Sequence, residues 1–268
     1  MLSYRHAFHA GNHADVLKHM VIIQLMRYLG QKDPAYMVID THAGAGVYAL
    51  DGDFASKNAE YETGIAKLWD RKDLPAMVKE YVDLVRSLNP SGKMRYYPGS
   101  PYCAEKTMRE QDRLRLFEMH PSEVKVLEDN FRKLEAHAAA QGQRPAARGK
   151  RVMVYRGDGF QGLKALLPPP SRRGLVLIDP PYEDKRDYTH VAQCWPMRSR
   201  ASRPARMQCG TRSCIATNRA SCLNDSSAWA PRAGSTSRWP SMVRHRMVLV
   251  CTTAACSSSI RPGRLRPS

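Results

Sequence analysis

LIDPPYE, residues 177–183, decides how this chain is read. Leu177 and Ile178 end the aliphatic run GLVLID (174–179), Asp179 closes it, and Pro180 and Pro181 stiffen the backbone ahead of Tyr182. A short aliphatic run without alternation is a strand buried on both faces, the habit of parallel sheets. Two successive prolines set φ and remove two amide donors, so the strand stops at the acid. AYMVID (35–40), RLRLFE (113–118) and RVMVYR (151–156) have the same form and break at acids or turns.

Helical patterns separate these runs. ADVLKHMVIIQLMRYLG (14–30) has a broad apolar stripe and a glycine stop, with Asn12 or Asp15 placed to cap it. LPAMVKEYVDLVRSLN (74–89) repeats apolar residues at helical spacing and ends at Asn-Pro. PSEVKVLEDNFRKLEAH (121–137) opens on proline, with Ser122 as its expected cap. Strands alternating with helices predict an α/β protein with a doubly wound, Rossmann-like sheet and ligands at the carboxyl ends of its strands. On this reading residues 1–49 and 111–195 form the sheet domain, and 50–110 form a helical insertion subdomain after the first strand. GQRPAARGK (142–150) reads as an exposed loop.

Length and charge bound the alternatives. A chain of 268 residues makes one large domain or two small ones. Nothing approaches eighteen consecutive apolar residues, so no membrane span is expected. The polar, His-rich start lacks the apolar core of a secretory signal, which points to the cytoplasm. Residues 1–195 hold 29 Lys+Arg against 24 Asp+Glu, a mild basic excess that suits a nucleic-acid partner. Residues 196–268 hold 13 Arg, no Lys and one acid, and five of the seven cysteines. That stretch has no sustained period, and only MVLV (247–250) resembles a strand. It reads as a GC-rich gene translated out of frame, which would leave the sheet without its C-terminal strands. An Arg/Ser-rich disordered tail that binds RNA is the other reading.

The strand ends carry the chemistry. DTHAGAGVYA (40–49) follows the first strand, and Gly44 and Gly46 permit a tight turn close to a ligand. GAGVYA also fits a dinucleotide fingerprint, which would suggest a nicotinamide oxidoreductase. The Asp40-Thr41-His42 lead-in argues against it: a carboxylate repels a pyrophosphate and welcomes a sulfonium cation. Glu118 ends the second strand, where an acid can accept from both ribose hydroxyls of a nucleoside. Asp158 and Gly159 end the third, where a carboxylate can accept from an adenine amine; a plain Asp-Gly turn is the bland alternative. At the DPPY corner, Asp179 and the Pro180 carbonyl can accept the two N–H bonds of an aromatic amine and direct its nitrogen at a methyl donor. Tyr182 offers a face on which a flipped-out base can stack. His9 and His13 stand four apart, but no metal-binding framework accompanies them, so no metal is expected. Ser100, in YYPGSP (96–101), offers a hydroxyl.

Taken together, MLSYRHAFHAGNHADVLKH, DTHAGAG, RYYPGSP, Glu118, GDGF and SRRGLVLIDPPYE resemble the RlmJ family over residues 1–194. These are class I, S-adenosylmethionine-dependent methyltransferases of adenine N6 in 23S ribosomal RNA. The resemblance implies cofactor contacts from His19, His42, Ser100, Glu118, Asp158 and Gly159, beside the ligand contact read from the turn at Gly44, with Asp179 catalytic. It implies RNA contact from Tyr4 and support of the site by Lys18, in a monomer acting on naked 23S rRNA. DPPY equally serves a DNA adenine-N6 methyltransferase, and a non-catalytic basic RNA-binding protein stays open. Resequencing the gene across codons 190–200 should reveal a shifted frame; a clean, uninterrupted frame overturns the out-of-frame reading.

Overall fold

Met37–Asp40 form β1, and this short strand has neighbours on both edges. It pairs in parallel with β4 (Arg113–Glu118) on one side and with β6 (Arg173–Ile178) on the other. The computed structural model describes residues 6–51, 59–140, 150–194 and 246–251. Across them the sheet runs β5 (Val152–Arg156), β4, β1, β6, β7 (Arg246–Cys251), with every pair parallel. The chain leaves β1 for β4 and β5, then returns to the opposite edge of β1. That reversal is the topological switch point where such sheets bind ligands.

Side chains alternate across the sheet. Val38, Leu114, Leu116, Leu175 and Leu177 face one core, shared with Ile22, Met26 and Leu29 of α1 (His13–Gly30). Leu127 and Phe131 of α5 (Pro121–Ala140) complete it. Ile39, Phe117, Val176 and Ile178 face the other core, beneath Leu163 of α6 (Gly159–Leu166) and Val191 of α7 (Arg186–Cys194). With both faces covered, all six residues of β6 are buried. Apart from Arg173 at its start, whose guanidinium donates to the Leu29 and Pro34 carbonyls, the strand carries no polar side chain until Asp179, just past its end.

The segment after β1 departs from a plain crossover. The glycine turn leads into β2 (Val47–Ala49), which pairs antiparallel with β3 (Tyr96–Pro98). A dinucleotide fingerprint needs a helix opening at its glycines to hold the pyrophosphate. A strand opens here instead, so GAGVYA is not that motif. Between the two strands lie α2 (Ala66–Trp69) and α3 (Ala76–Ser87), and beyond β3 comes α4 (Ser100–Thr107). Ile65, Tyr81, Val82, Val85 and Tyr97 share one apolar cluster with Val16 and Ile23 of α1. The segment expected to be a helical insertion, 50–110, thus also contains one strand of a two-stranded ribbon, β3, whose partner β2 precedes it, and borrows its core from α1.

Two expectations about ends are settled by hydrogen bonds. Asn12 caps α1, its side chain accepting from the Asp15 N–H at 2.9 Å. Ser122 does not cap α5: it lies inside the helix, and its N–H donates to His120 Nδ1 at 3.3 Å. An imidazole nitrogen supplied the acceptor that the sequence reading sought in a hydroxyl. The out-of-frame reading of 196–268 falls outside the described residues, except at Arg246–Cys251. There one further strand pairs with β6, so the expected absence of C-terminal strands is corrected at that place. MVLV is aliphatic and β-branched in part, and the open edge of β6 offers unpaired backbone groups to such a segment.

Asp112 ties the sheet to the loop after α1. Its carboxylate is fully buried and accepts from the Tyr36 N–H at 3.0 Å, the Arg109 N–H at 2.9 Å and Arg109 Nε at 3.0 Å. A buried donor left without an acceptor costs about 1–3 kcal/mol. Asp112→Ala should therefore lower the unfolding free energy by at least about 2 kcal/mol in urea titrations, with the m-value unchanged.

Candidate functional site

The carboxyl ends of β1, β4, β5 and β6 open onto one cavity of about 480 Å³. That size falls within the roughly 300–1,000 Å³ of small-molecule sites. His42, Gly44, Ser100, Glu118, Asp158, Gly159, Lys18 and Asp179 all line it. Residues from four strand ends and two helices therefore meet as the sequence reading expected. Seven carboxylates line the cavity against two permanent cations, Lys18 and Arg186. Such a wall attracts a cationic ligand and disfavours a pyrophosphate.

Each carboxylate is held differently. Glu118 accepts from the Gly44 N–H at 2.8 Å and from the His120 N–H at 2.7 Å. This ties the end of β4 to the glycine turn. Gly44 adopts φ +60°, and a Cβ there would stand 2.2 Å from the Tyr48 hydroxyl, so only glycine fits. Asp158 caps α6, accepting from the Phe160 N–H at 2.8 Å. A Cβ on Gly159 would lie 2.2 Å from the Thr41 carbonyl oxygen, so glycine lets α6 press against the end of β1.

Asp40 behaves otherwise. It is only 2% exposed, does not line the cavity, and accepts from Ser100 Oγ at 2.7 Å and the His42 N–H at 3.2 Å. Burial pushes its carboxyl up to about 6, although those two donors pull it down. The acid expected to meet a sulfonium directly lies beneath the floor and braces the loop above it. Its hydrogen-bond partner Ser100 sits at the first position of α4, and Ser100 and His42 form the wall. Burial pulls the His42 imidazole down to about 4, against the opposing pull of Asp179 and Asp158. Its ring meets Phe160 edge-on at 5.1 Å, and Phe160 meets His190 at 5.4 Å, linking β1, α6 and α7 across the cavity.

Asp179 stands just past β6 with its side chain 13% exposed, and Lys18 Nζ donates to its Oδ2 at 2.8 Å. Lys18 also pairs with Asp15 at 2.6 Å. Burial pulls the Lys18 ammonium down, but Asp15 and Asp179 outweigh it and hold it well above the usual lysine range. Tyr182 has φ +56°, the left-handed region that a bulky residue adopts only where the surroundings impose it. Its ring lies 4.6 Å from that of Tyr188 and is not among the residues lining the cavity, nor is Pro180. Pro181 and Glu183 take those positions on the wall.

His19 also stands off the wall. At 1% exposure its Nδ1 lies 3.2 Å from the Tyr97 hydroxyl and 3.4 Å from that of Tyr81. Its Nε2 is buried with no protein partner. Burial brings its imidazole down to about 3. Tyr4 lies outside the described residues. Among the described residues no group of three or more His, Cys, Asp or Glu is arranged to hold a metal. His9 Nδ1 instead lies 3.0 Å from Glu60 Oε1.

The sequence reading missed Asp15, Thr41, His120, Phe160 and His190. All but Asp15 line the cavity. Only a helical projection, placing Asp15 one turn before Lys18, carried a signal for any of them.

A family model described as "Ribosomal RNA large subunit methyltransferase D, RlmJ" matches residues 33–206. A protein of Escherichia coli (strain K12) named "Ribosomal RNA large subunit methyltransferase J" is 50% identical over 191 residues, covering 71% of this chain and 63% of the relative. A Haemophilus influenzae protein of the same name is 46% identical over 194 residues, covering 72% of this chain and 64% of the relative. The chain thus spans somewhat under two thirds of the length of these relatives. A crystal structure of a Legionella pneumophila protein superposes with a TM-score of 0.59 at 39% identity, covering 70% of this chain and 63% of that one.

The two lowered histidines set an acid limb for stability. Unfolded histidine titrates near 6.5. Between about pH 6.5 and 4 the unfolded chain therefore binds more protons than the folded one, and stability falls as pH falls. Asp40 acts in the opposite sense, because its folded carboxyl takes a proton first. With two imidazoles against one carboxyl, urea midpoints should drop across this window. His19→Gln should flatten the drop by about 1–3 kcal/mol.

Proposed function

The chain belongs to the RlmJ family of ribosomal RNA large subunit methyltransferases, and we propose that it methylates N6 of an adenine in 23S ribosomal RNA with S-adenosylmethionine as donor. The observation that supports this most is the placement of Asp179. It opens into the same cavity as Glu118 and Asp158, at a stiff corner past β6, and Lys18 anchors it.

The residues suit the donor. Each Glu118 oxygen spends one lone pair on a backbone N–H, which leaves acceptor capacity for two ribose hydroxyls. Asp158 keeps an oxygen for an adenine amine beside its capping bond. The unpartnered His19 Nε2 calls for a ligand or water atom to satisfy it. The acid-rich wall suits a cation. When bound, S-adenosylmethionine supplies an electrophilic methyl group on a sulfonium.

The remaining work belongs to the protein. An exocyclic adenine amine delocalises its lone pair into the ring and is a weak nucleophile. Asp179 accepts an N–H bond of the amine, and the buried Pro180 behind it stiffens the corner, which fixes the nitrogen and turns its lone pair toward the methyl group. No covalent intermediate and no metal is needed. The amine sheds one proton per methyl gained, along the bond that Asp179 accepts. Tyr182 and Tyr188 form an aromatic pair beside the corner, a face of the kind on which a flipped-out base stacks.

With labelled methyl donor, protein-free 23S rRNA should accept label in preference to both duplex DNA and assembled subunits. Asp179→Ala should lower turnover about a hundredfold or more while RNA still binds in a gel-shift assay. Equal activity of Asp179→Ala and the unaltered chain would refute the assigned chemistry, and preferred labelling of duplex DNA would reassign the substrate.

A further inference from the structure

Asp15 is 3% exposed in the first turn of α1 and takes no part in the chemistry derived above. Its carboxylate nevertheless has an unusual set of partners. Oδ1 lies 2.6 Å from Lys18 Nζ. Oδ2 lies 2.8 Å from His6 Nε2 and accepts from the Gly11 N–H at 3.2 Å. Its own N–H donates to the capping Asn12 at 2.9 Å. Both oxygens and the backbone are thus held, and the side chain cannot swing away. Burial pushes this carboxyl up, yet His6 and Lys18 more than offset it and keep it well below the usual range.

We propose that Asp15 is a positioning residue for the methyl-transfer site, acting through Lys18 on Asp179. This rests on the function proposed above, and the reasoning is electrostatic and geometric. Lys18 carries one charge shared between two carboxylates, Asp15 at 2.6 Å and Asp179 at 2.8 Å. The bond to Asp15 fixes the ammonium in place from the helix side. The same bond draws off part of the positive charge, so Asp179 keeps its strength as an acceptor for the amine. Without Asp15 the whole charge of a buried ammonium falls on Asp179, and Lys18 loses the tether that fixes its angle of approach. A small displacement at a reacting centre costs up to about a hundredfold in rate. Another partner of Asp15, His6, lines the cavity, so the chain of contacts from Asp179 through Lys18 and Asp15 returns to the wall.

The test compares the full chain with Asp15→Asn, Lys18→Met and the double variant, in methyl transfer to protein-free 23S rRNA. Asp15→Asn keeps the shape and removes the charge. It should lower turnover about 10–100-fold, with the RNA KM and the S-adenosylmethionine Kd each changing less than about threefold. The double variant should match Lys18→Met alone, because Asp15 has no effect once its intermediary is gone. A merely structural residue would lose stability in both backgrounds and give losses that multiply. Should Asp15→Asn fail to fold because Lys18 is stranded, the double variant removes that charge too, and its turnover against Lys18→Met still decides. Wild-type turnover in Asp15→Asn, or multiplying losses, overturns the proposal alone, provided Asp179→Ala is inactive. An inactive unaltered chain, or an active Asp179→Ala, overturns both this proposal and the function on which it rests.

Discussion

Parallel pairing on both edges of β1 is the constraint from which the site follows. Strands that run in one direction bring all their carboxyl ends to one rim, and β4, β5 and β6 deliver Glu118, Asp158 and Asp179 there. Because β6 is buried along its whole length, the one charged residue within it, Arg173 at its start, is met by the Leu29 and Pro34 carbonyls. The first position open to an acid is the residue after Ile178. The two prolines that follow prevent that acid from being drawn back into the ladder.

The second organising feature is how charge is buried around the rim. Lys18 bridges a carboxylate of its own helix and one that lies 161 residues away. Asp40 takes hydrogen bonds from Ser100 and His42 and so joins β1 to α4 below the cavity floor. These bonds bind the wall residues to the sheet. They also give each acid a separate role. Asp40 braces the loop, Glu118 holds the glycine turn, Asp158 caps a helix, and Asp179 meets the cavity from the arm of Lys18. Four residues of similar chemistry thus differ by what satisfies their oxygens.

Much of this was legible in residue order. The four aliphatic runs fell within about two residues of β1, β4, β5 and β6, because strands buried on both faces leave a plain compositional mark. Asn12 as the cap of α1 was legible for a similar reason, since capping is local. The ribbon formed by β2 and β3 was not, because three-residue strands 49 positions apart leave no period to detect. His120 as the cap of α5 was missed because propensity favours hydroxyl and carboxamide side chains over imidazole. The dinucleotide reading of GAGVYA failed on the element that follows it, which three-residue β-propensity in VYA could have suggested.

By itself the sequence determined the alternation of strands and helices, the acids at the strand ends and the stiff corner after Asp179, because each rests on local sterics and hydrophobic periodicity. Only the tertiary structure decided which acid faces the cavity and which is buried beneath it, that His19 stands behind the wall with an unsatisfied nitrogen, and that Asp15 reaches Asp179 through Lys18. Those outcomes depend on burial and on contacts between residues far apart in the chain. A carboxylate looks the same in a sequence whether water, a hydroxyl or an ammonium will meet its oxygens.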